Sequence, residues 1–128
     1  MASALYNKGK EGLLDGSINL ETDTIKAALV DTGIYTVNLS THQFLSDISG
    51  IVGTDQTLGS KTMTNGTFDA ADSTWTGVTG NSVEAIVLYK STGVAGTSRL
   101  IGYWDGLSVT PNGGNIIAQW NASGLFSI

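Results

Sequence analysis

The 128 residues include no cysteine, one histidine and one proline, and 11 acidic residues outweigh six basic ones for a formal net charge of −5. Disulfide frameworks, thiol nucleophiles and cysteine-bound metals are therefore excluded, and the charge balance argues against a cationic footprint for nucleic acid. Charged residues make up only 13% of the chain and glycine occurs 17 times, a composition that points to strands and turns with a polar, mostly uncharged surface.

The length suits a single domain over residues 1–128, and a domain of that size buries roughly two-thirds of its unfolded surface without staples. There is no internal repeat and no low-complexity linker. The opening MASALYNKGKEGLLDG does not read as a signal peptide, because Lys8, Lys10 and Glu11 interrupt the apolar residues. No run of about 18 apolar residues occurs. The expectation is a soluble protein made in a cytoplasm, with no membrane partner.

In chain order, residues 4–14 are expected to form a short helix, capped by Ser3, with Leu5, Tyr6, Leu13 and Leu14 on its apolar side. Gly9 and Gly12 weaken it, each by about 1 kcal/mol, and Asp15-Gly16 marks a turn. Residues 24–31 (TIKAALVD) alternate as a strand, with Ile25, Ala27, Leu29 and Asp31 on one side and Lys26, Ala28 and Val30 on the other. Residues 34–39 are expected to be extended. Residues 40–48 are expected to make one or two helical turns, with Ser40 and Gln43 as a capping box and Phe44, Leu45 and Ile48 at helical spacing. Residues 49–59 are loop-like.

Asn65-Gly66 lies between extended runs at 60–64 and 67–71. It is the strongest hairpin signal in the chain, since a type I′ turn needs positive φ at both central positions. Residues 73–78 hold Trp75 among β-formers. Residues 83–90 (VEAIVLYK) and 98–105 (SRLIGYWD) form a long hairpin. Residues 115–121 and 125–128 complete the strands. Many short strands joined by Gly, Asn and Asp turns predict an all-β, mainly antiparallel fold: a jelly-roll-like β-sandwich with one or two short peripheral helices over its edges or ends.

Chemistry is hard to find in this pattern. His42 is the only histidine, so any Ser-His-Asp triad would have to use it, and no nucleophile-elbow pattern accompanies it. A polar residue on a solvated helix face is its ordinary reading. Asp69 and Asp72 could supply oxygens to calcium, but no Asp-x-Asp-x-Asp loop with a distal glutamate follows, and Asx turns explain them equally well. The glycine-rich stretches match neither G-x-G-x-x-G nor the P-loop. The expectation is a non-enzyme with no catalytic residue, no cofactor and no metal.

Glu84 shares an expected strand face with Ile86 and Leu88, opposite Val83, Ala85, Val87 and Tyr89. A carboxylate there needs a partner or a strand-end position near solvent. Arg99, the single arginine, falls nearer Tyr89 in a tight hairpin register. Trp75, Trp104 and Trp120, with Tyr89 and Tyr103, could stack on a carbohydrate or a nucleic acid, but such residues more often anchor cores or interfaces. Trp75, Glu84, Trp104 and Trp120 are thus the candidate interface residues.

Two groups of segments resemble a family. ALYNKGKEGLLDG and DTIKAALVDTGIYTVNLSTHQFLSDI, followed by GNSVEAIVLYKSTGVAGTSRLIGYWD and VTPNGGNIIAQW, are similar across nearly the whole chain to small virion structural proteins of tailed bacteriophages. The resemblance implies a capsid decoration, or cement, protein with a jelly-roll-like fold. It implies the major capsid protein and further copies of itself as partners, a trimer before a dimer, and a place on the capsid surface of the virion. It transfers no site residues, because the family has no catalytic motif. The same composition would suit a tail-fibre or baseplate module that binds a host-surface glycan or receptor, which predicts exposed tryptophans lining a groove.

Overall fold

The computed structural model describes residues 3–120 and 124–127. The chain opens with strand β1 (Ser3–Leu5) and turns directly into helix α1 (Asn7–Asp15). The expected helix over 4–14 is thus divided, and Ser3 does not cap it. Tyr6 holds the N-cap position in an extended conformation with no side-chain capping bond. Its amide donates to the Ile101 carbonyl at 3.1 Å, continuing the β1 pairing. The helix ends at Gly16, whose φ of 83° is the left-handed cap expected from Asp15-Gly16.

Gly9 and Gly12 decide how α1 packs. A Cβ on Gly9 would stand 2.6 Å from the Ile101 carbonyl oxygen, and one on Gly12 would stand 2.7 Å from Ile18 Cδ1. Three residues apart, they share one helix face. That face, not a leucine stripe, is what the helix buries. Leu13 is half-buried and Leu14 is 85% exposed, so the apolar side expected for this helix does not all turn inward.

The next strands are β2 (Ile25–Val30), β3 (Ile51–Thr57), β4 (Thr62–Thr64) and β5 (Thr67–Asp69). They are followed by β6 (Ser73–Trp75), β7 (Ala85–Lys90), β8 (Leu100–Trp104), β9 (Ile116–Ala118) and β10 (Phe126–Ser127). All their ladders are antiparallel. The large sheet has the order β1-β8-β7-β2-β3, and the smaller ones are β10-β5-β4 and β6-β9. This is the all-β, mainly antiparallel fold with a short helix that the composition indicates. The expected strand ends Asn121 and Ile128 lie outside the described residues.

Three segments depart from expectation. Residues 34–39 join no strand. Residues 40–48 form only a 3₁₀ turn at Leu45–Asp47. Asn38 Oδ1 accepts the amides of Ser40 and Thr41, and Asp47 Oδ2 accepts those of Gln43 and Phe44. These short polar side chains take the donors that a Ser40–Gln43 capping box would have organised. The third is β3, expected as loop. It is an edge strand with a wide bulge: Val52 pairs with Leu29 and Gln56 with Ala27, so three residues stand across from Ala28 alone. Gly53 in that bulge has φ 75°, and only Val52 of the strand is fully buried. The bulge erases the alternation that would have marked the strand and also blunts the sheet edge.

The Asn65-Gly66 hairpin forms as expected. Thr64 pairs with Thr67, and the two turn residues have φ of 52° and 76°.

The large sheet is covered on both faces. Over one face lie the small sheets and an apolar cluster that includes Leu29, Phe68, Trp75, Leu88, Ile101, Trp104 and Trp120. Over the other lies a cluster of Tyr6, Val30, Tyr35, Val87, Tyr89, Leu100 and Tyr103, closed by Val37, Leu39, Leu45 and Ile48 from the irregular segment. In β8 the alternation shifts at Ile101-Gly102, where the pairing with β7 is irregular. A Cβ on Gly102 would lie 2.7 Å from the Trp104 ring, so this glycine makes room for the indole.

Gly9→Ala tests the helix contact. Helix propensity alone would favour alanine by about 1 kcal/mol, yet the clash with β8 should cost a net ~1–3 kcal/mol in urea denaturation. Glu11→Ala, on the exposed side, should stay within about 0.5 kcal/mol of the parent.

Candidate functional site

All three tryptophans are core residues of one chain. Trp75 is 1%, Trp104 4% and Trp120 8% exposed. Trp104 meets Trp120 edge-on at 6.2 Å between ring centroids, and Phe126 at 6.3 Å. Of the two roles expected for them, core or interface anchor, the structure gives all three the core role: their rings are spent inside the fold, which corrects their place among the interface candidates.

Glu84 lies just before β7, half-buried. Its Oε1 accepts the Thr32 amide at 3.0 Å and the Thr32 hydroxyl at 3.1 Å. A hydrogen bond from Ser82, with those from Thr32, holds its carboxyl below the ordinary range. Val83 does not share a face with Ala85, Val87 and Tyr89 as expected. It bridges to Val109 and packs in the tryptophan cluster with Ile86 and Leu88, because the alternation breaks where β7 begins. Arg99 is remote from Glu84 and donates to the Lys8 carbonyl at 3.1 Å.

Asp69 is engaged locally, and Asp72 is engaged by a residue distant in the chain rather than by an Asx turn. Asp69 Oδ1 accepts the Ala70 amide, and Asp72 Oδ1 accepts the Trp120 amide at 3.1 Å. Among the described residues no group of three His, Cys, Asp or Glu side chains is placed to hold a metal ion.

His42 is not on a helix face. It is half-buried, with Nδ1 2.7 Å from the Tyr35 hydroxyl, which is in turn 2.9 Å from the Tyr6 hydroxyl. Burial pushes the pKa values of Tyr6 and Tyr35 up, so both stay protonated and serve as hydrogen-bonding groups. A second polar link crosses the same face: the Tyr89 hydroxyl donates to Asp55 Oδ2. Burial raises the Asp55 carboxyl above its ordinary pKa, against the opposing pull of the Tyr89 bond and of Lys26. Asp55 Oδ1 is buried with no hydrogen-bond partner. The first link ties the covering residues 35–42 to Tyr6, and the second ties the bulge of the edge strand β3 to Tyr89 of β7.

The remaining candidate is a surface. The outer side of α1 forms a groove of about 300 Å³ lined by Leu5, Lys10, Leu13, Leu14 and Ser127. A second hollow of about 350 Å³ shares Leu13 and continues past Ile18, Leu20 and Glu21 to Met63. Leu14, at 85% exposure, and Met63, at 43%, are among the most exposed large apolar side chains. Sequence reasoning turned Leu13 and Leu14 toward the core. The signal that would have corrected it is the Gly9/Gly12 spacing, which marks the close-packed face and so sends Leu14 outward.

No protein-family model matches the chain, and no curated protein matches it either.

Two measurements probe the tyrosine face. Tyr35→Phe leaves the Tyr6 hydroxyl and His42 Nδ1 without their shared partner and should cost ~1–3 kcal/mol. Tyr103→Phe, whose hydroxyl has no hydrogen bond to a described residue, should cost less. Asp55 gives a pH signature. Its native pKa is raised, so above about pH 4 the native state holds more of this proton than the unfolded chain does. Its contribution to stability is therefore full below the unfolded pKa and is lost as pH rises through the native one. Asp55→Asn should remove that loss, seen as a flatter fall in stability between pH 4 and neutrality than in the parent.

Proposed function

We propose that the chain is a structural protein of a bacteriophage virion, a cement or decoration protein. It binds the outside of an icosahedral capsid through the major capsid protein and works as a homo-oligomer. The observation that carries the reading is where the polar and apolar groups go. The histidine, Asp55, Asp69, Asp72 and Glu84 are all engaged in holding the fold. Facing outward, with Ile34, Val94 and Ile117 elsewhere on the surface, is an apolar groove beside Leu14, the most exposed of the large apolar side chains among the described residues. That pattern suits a chain that packs against other chains.

The resemblance of the two sequence halves to small tailed-phage virion proteins supplies the particle, and the β-rich fold is compatible with the jelly-roll-like architecture it implies. A net charge of −5 suits the outside of a shell better than its DNA-facing interior. Multivalent attachment lets an oligomer grip several capsid subunits, so weak single contacts sum to tight binding. The alternative, a tail-fibre or baseplate module for host glycans, calls for exposed tryptophans. The burial of Trp75, Trp104 and Trp120 weighs against it.

Purified protein added to shells that lack it should co-sediment with them at saturating, symmetric stoichiometry and delay their thermal disruption. Protein that ignores such shells but binds bacterial surface glycans would overturn the proposal in favour of the fibre reading.

A further inference from the structure

The apolar surface on α1 has a shape that bears on the partner it fits. Leu14 stands out from it, and the groove beside Leu14 is walled by Leu5 and Leu13 of the same patch. A knob and a hole on one patch are complementary to a second copy turned through a twofold axis. The charges follow the same symmetry. Leu13 lines both hollows; Lys10 belongs to the hollow on one side of it and Glu21 to the hollow on the other. Both are exposed. Glu11 is engaged by Lys8 at 3.3 Å, whereas neither Lys10 nor Glu21 has a salt-bridge partner among the described residues.

We infer that this surface, Leu14 with Leu5, Leu13, Lys10, Glu21 and Met63, is an isologous dimer interface whose occupant is a second copy of the chain. A twofold through the Leu13–Leu14 region seats each Leu14 in the groove of the other copy. It also sets each Lys10 against the opposite Glu21. The chain as a whole repels its copies at a net charge of −5, but this pairing balances charge locally, within the range over which screening leaves it effective. The inference deepens the homo-oligomer part of the reading above. It fixes twofold symmetry where the family resemblance implies a trimer, and it does not depend on the virion.

The test is the mass in solution, by sizing with light scattering and by sedimentation over a concentration series. The parent should sediment as a dimer. Leu14→Asp should raise the dissociation constant by at least about tenfold while leaving the melting temperature of the monomer unchanged, since Leu14 makes little contact within the chain. Lys10→Glu and Glu21→Lys should each weaken the dimer by about three- to tenfold, and the double variant should restore it. A monomeric parent, or a trimer, overturns the inference. A dimer indifferent to Leu14→Asp overturns this face as the interface while leaving self-association standing. Loss of capsid binding by an intact dimer bears on the proposed function and not on this surface.

Discussion

β2 and β7 lie side by side in the middle of the large sheet, six residues paired with six, and of those twelve only Lys26 and Lys90 are not fully buried. Neither strand has a face left for solvent. The two lysines fall at the same end of the pair, where Lys90 reaches Asp23 at 3.3 Å and the Ser17 carbonyl at 2.7 Å. Everything else in the molecule serves to cover one or the other side of this pair. The small sheets cover one side, the irregular stretch from residue 34 to 48 covers the other, and α1 closes the β8 flank. A sheet buried on both faces leaves each covering segment little freedom of placement, because a shift would uncover apolar area worth about 25 cal/mol per Å².

The two covers differ in chemistry because they differ in what they must satisfy. The sandwich side is made of strands whose backbone groups are paired, so it can be filled with Trp, Phe, Ile and Leu. The other side is closed by a segment with little regular hydrogen bonding. All four tyrosines of the chain lie there. A tyrosine brings a large apolar ring and a hydroxyl at its far end, and that hydroxyl can hold a segment that cannot pair as a strand. Tyr6, Tyr35 and His42 form such a tie, and Tyr89 with Asp55 holds the unpaired bulge of β3. Burial raises the pKa values of Tyr6, Tyr35, Tyr89 and Asp55, which at another site would suggest catalysis. Here the ties to the covering segment and to the β3 bulge account for them.

The elements that were legible in the sequence are those set by local rules. The Asn65-Gly66 turn needs only its own two residues to accept positive φ. β2, β7 and β8 announce themselves by β-branched and aromatic content. The Gly16 cap needs no partner. What could not be read depends on distant groups. β3 is a strand only because β2 offers it an edge, and its bulge removes the period that sequence reasoning looks for. Residues 40–48 have helical spacing, yet Asn38 and Asp47 capture their amides. Val83 falls on the opposite face from the one expected for the same kind of reason: the alternating pattern does not run back the two residues before β7 begins at Ala85. The tryptophans were candidates for an interface because no sequence rule separates a core indole from an exposed one. Their fate was settled by the small sheets that close over them.

The α1 surface follows from the same dependence on distant contacts. Glycine in a short helix reads as weakness, since each one forgoes about 1 kcal/mol of propensity. In this chain Gly9 lets the helix axis approach the β8 backbone, where Ile101 leaves no room for a Cβ, and Gly12 makes room for the side chains of Ile18 and Arg99. Once that face is committed to backbone contact, rotation about the helix axis is fixed, and Leu14 must stand in water. Turning the helix to bury Leu14 would drive Lys10, four residues earlier on the same side, toward the sheet. An outward leucine beside its own groove is therefore a consequence of how tightly α1 packs. A chain that holds its helix by glycine contact while exposing leucine has placed apolar area where only another molecule can remove it from water.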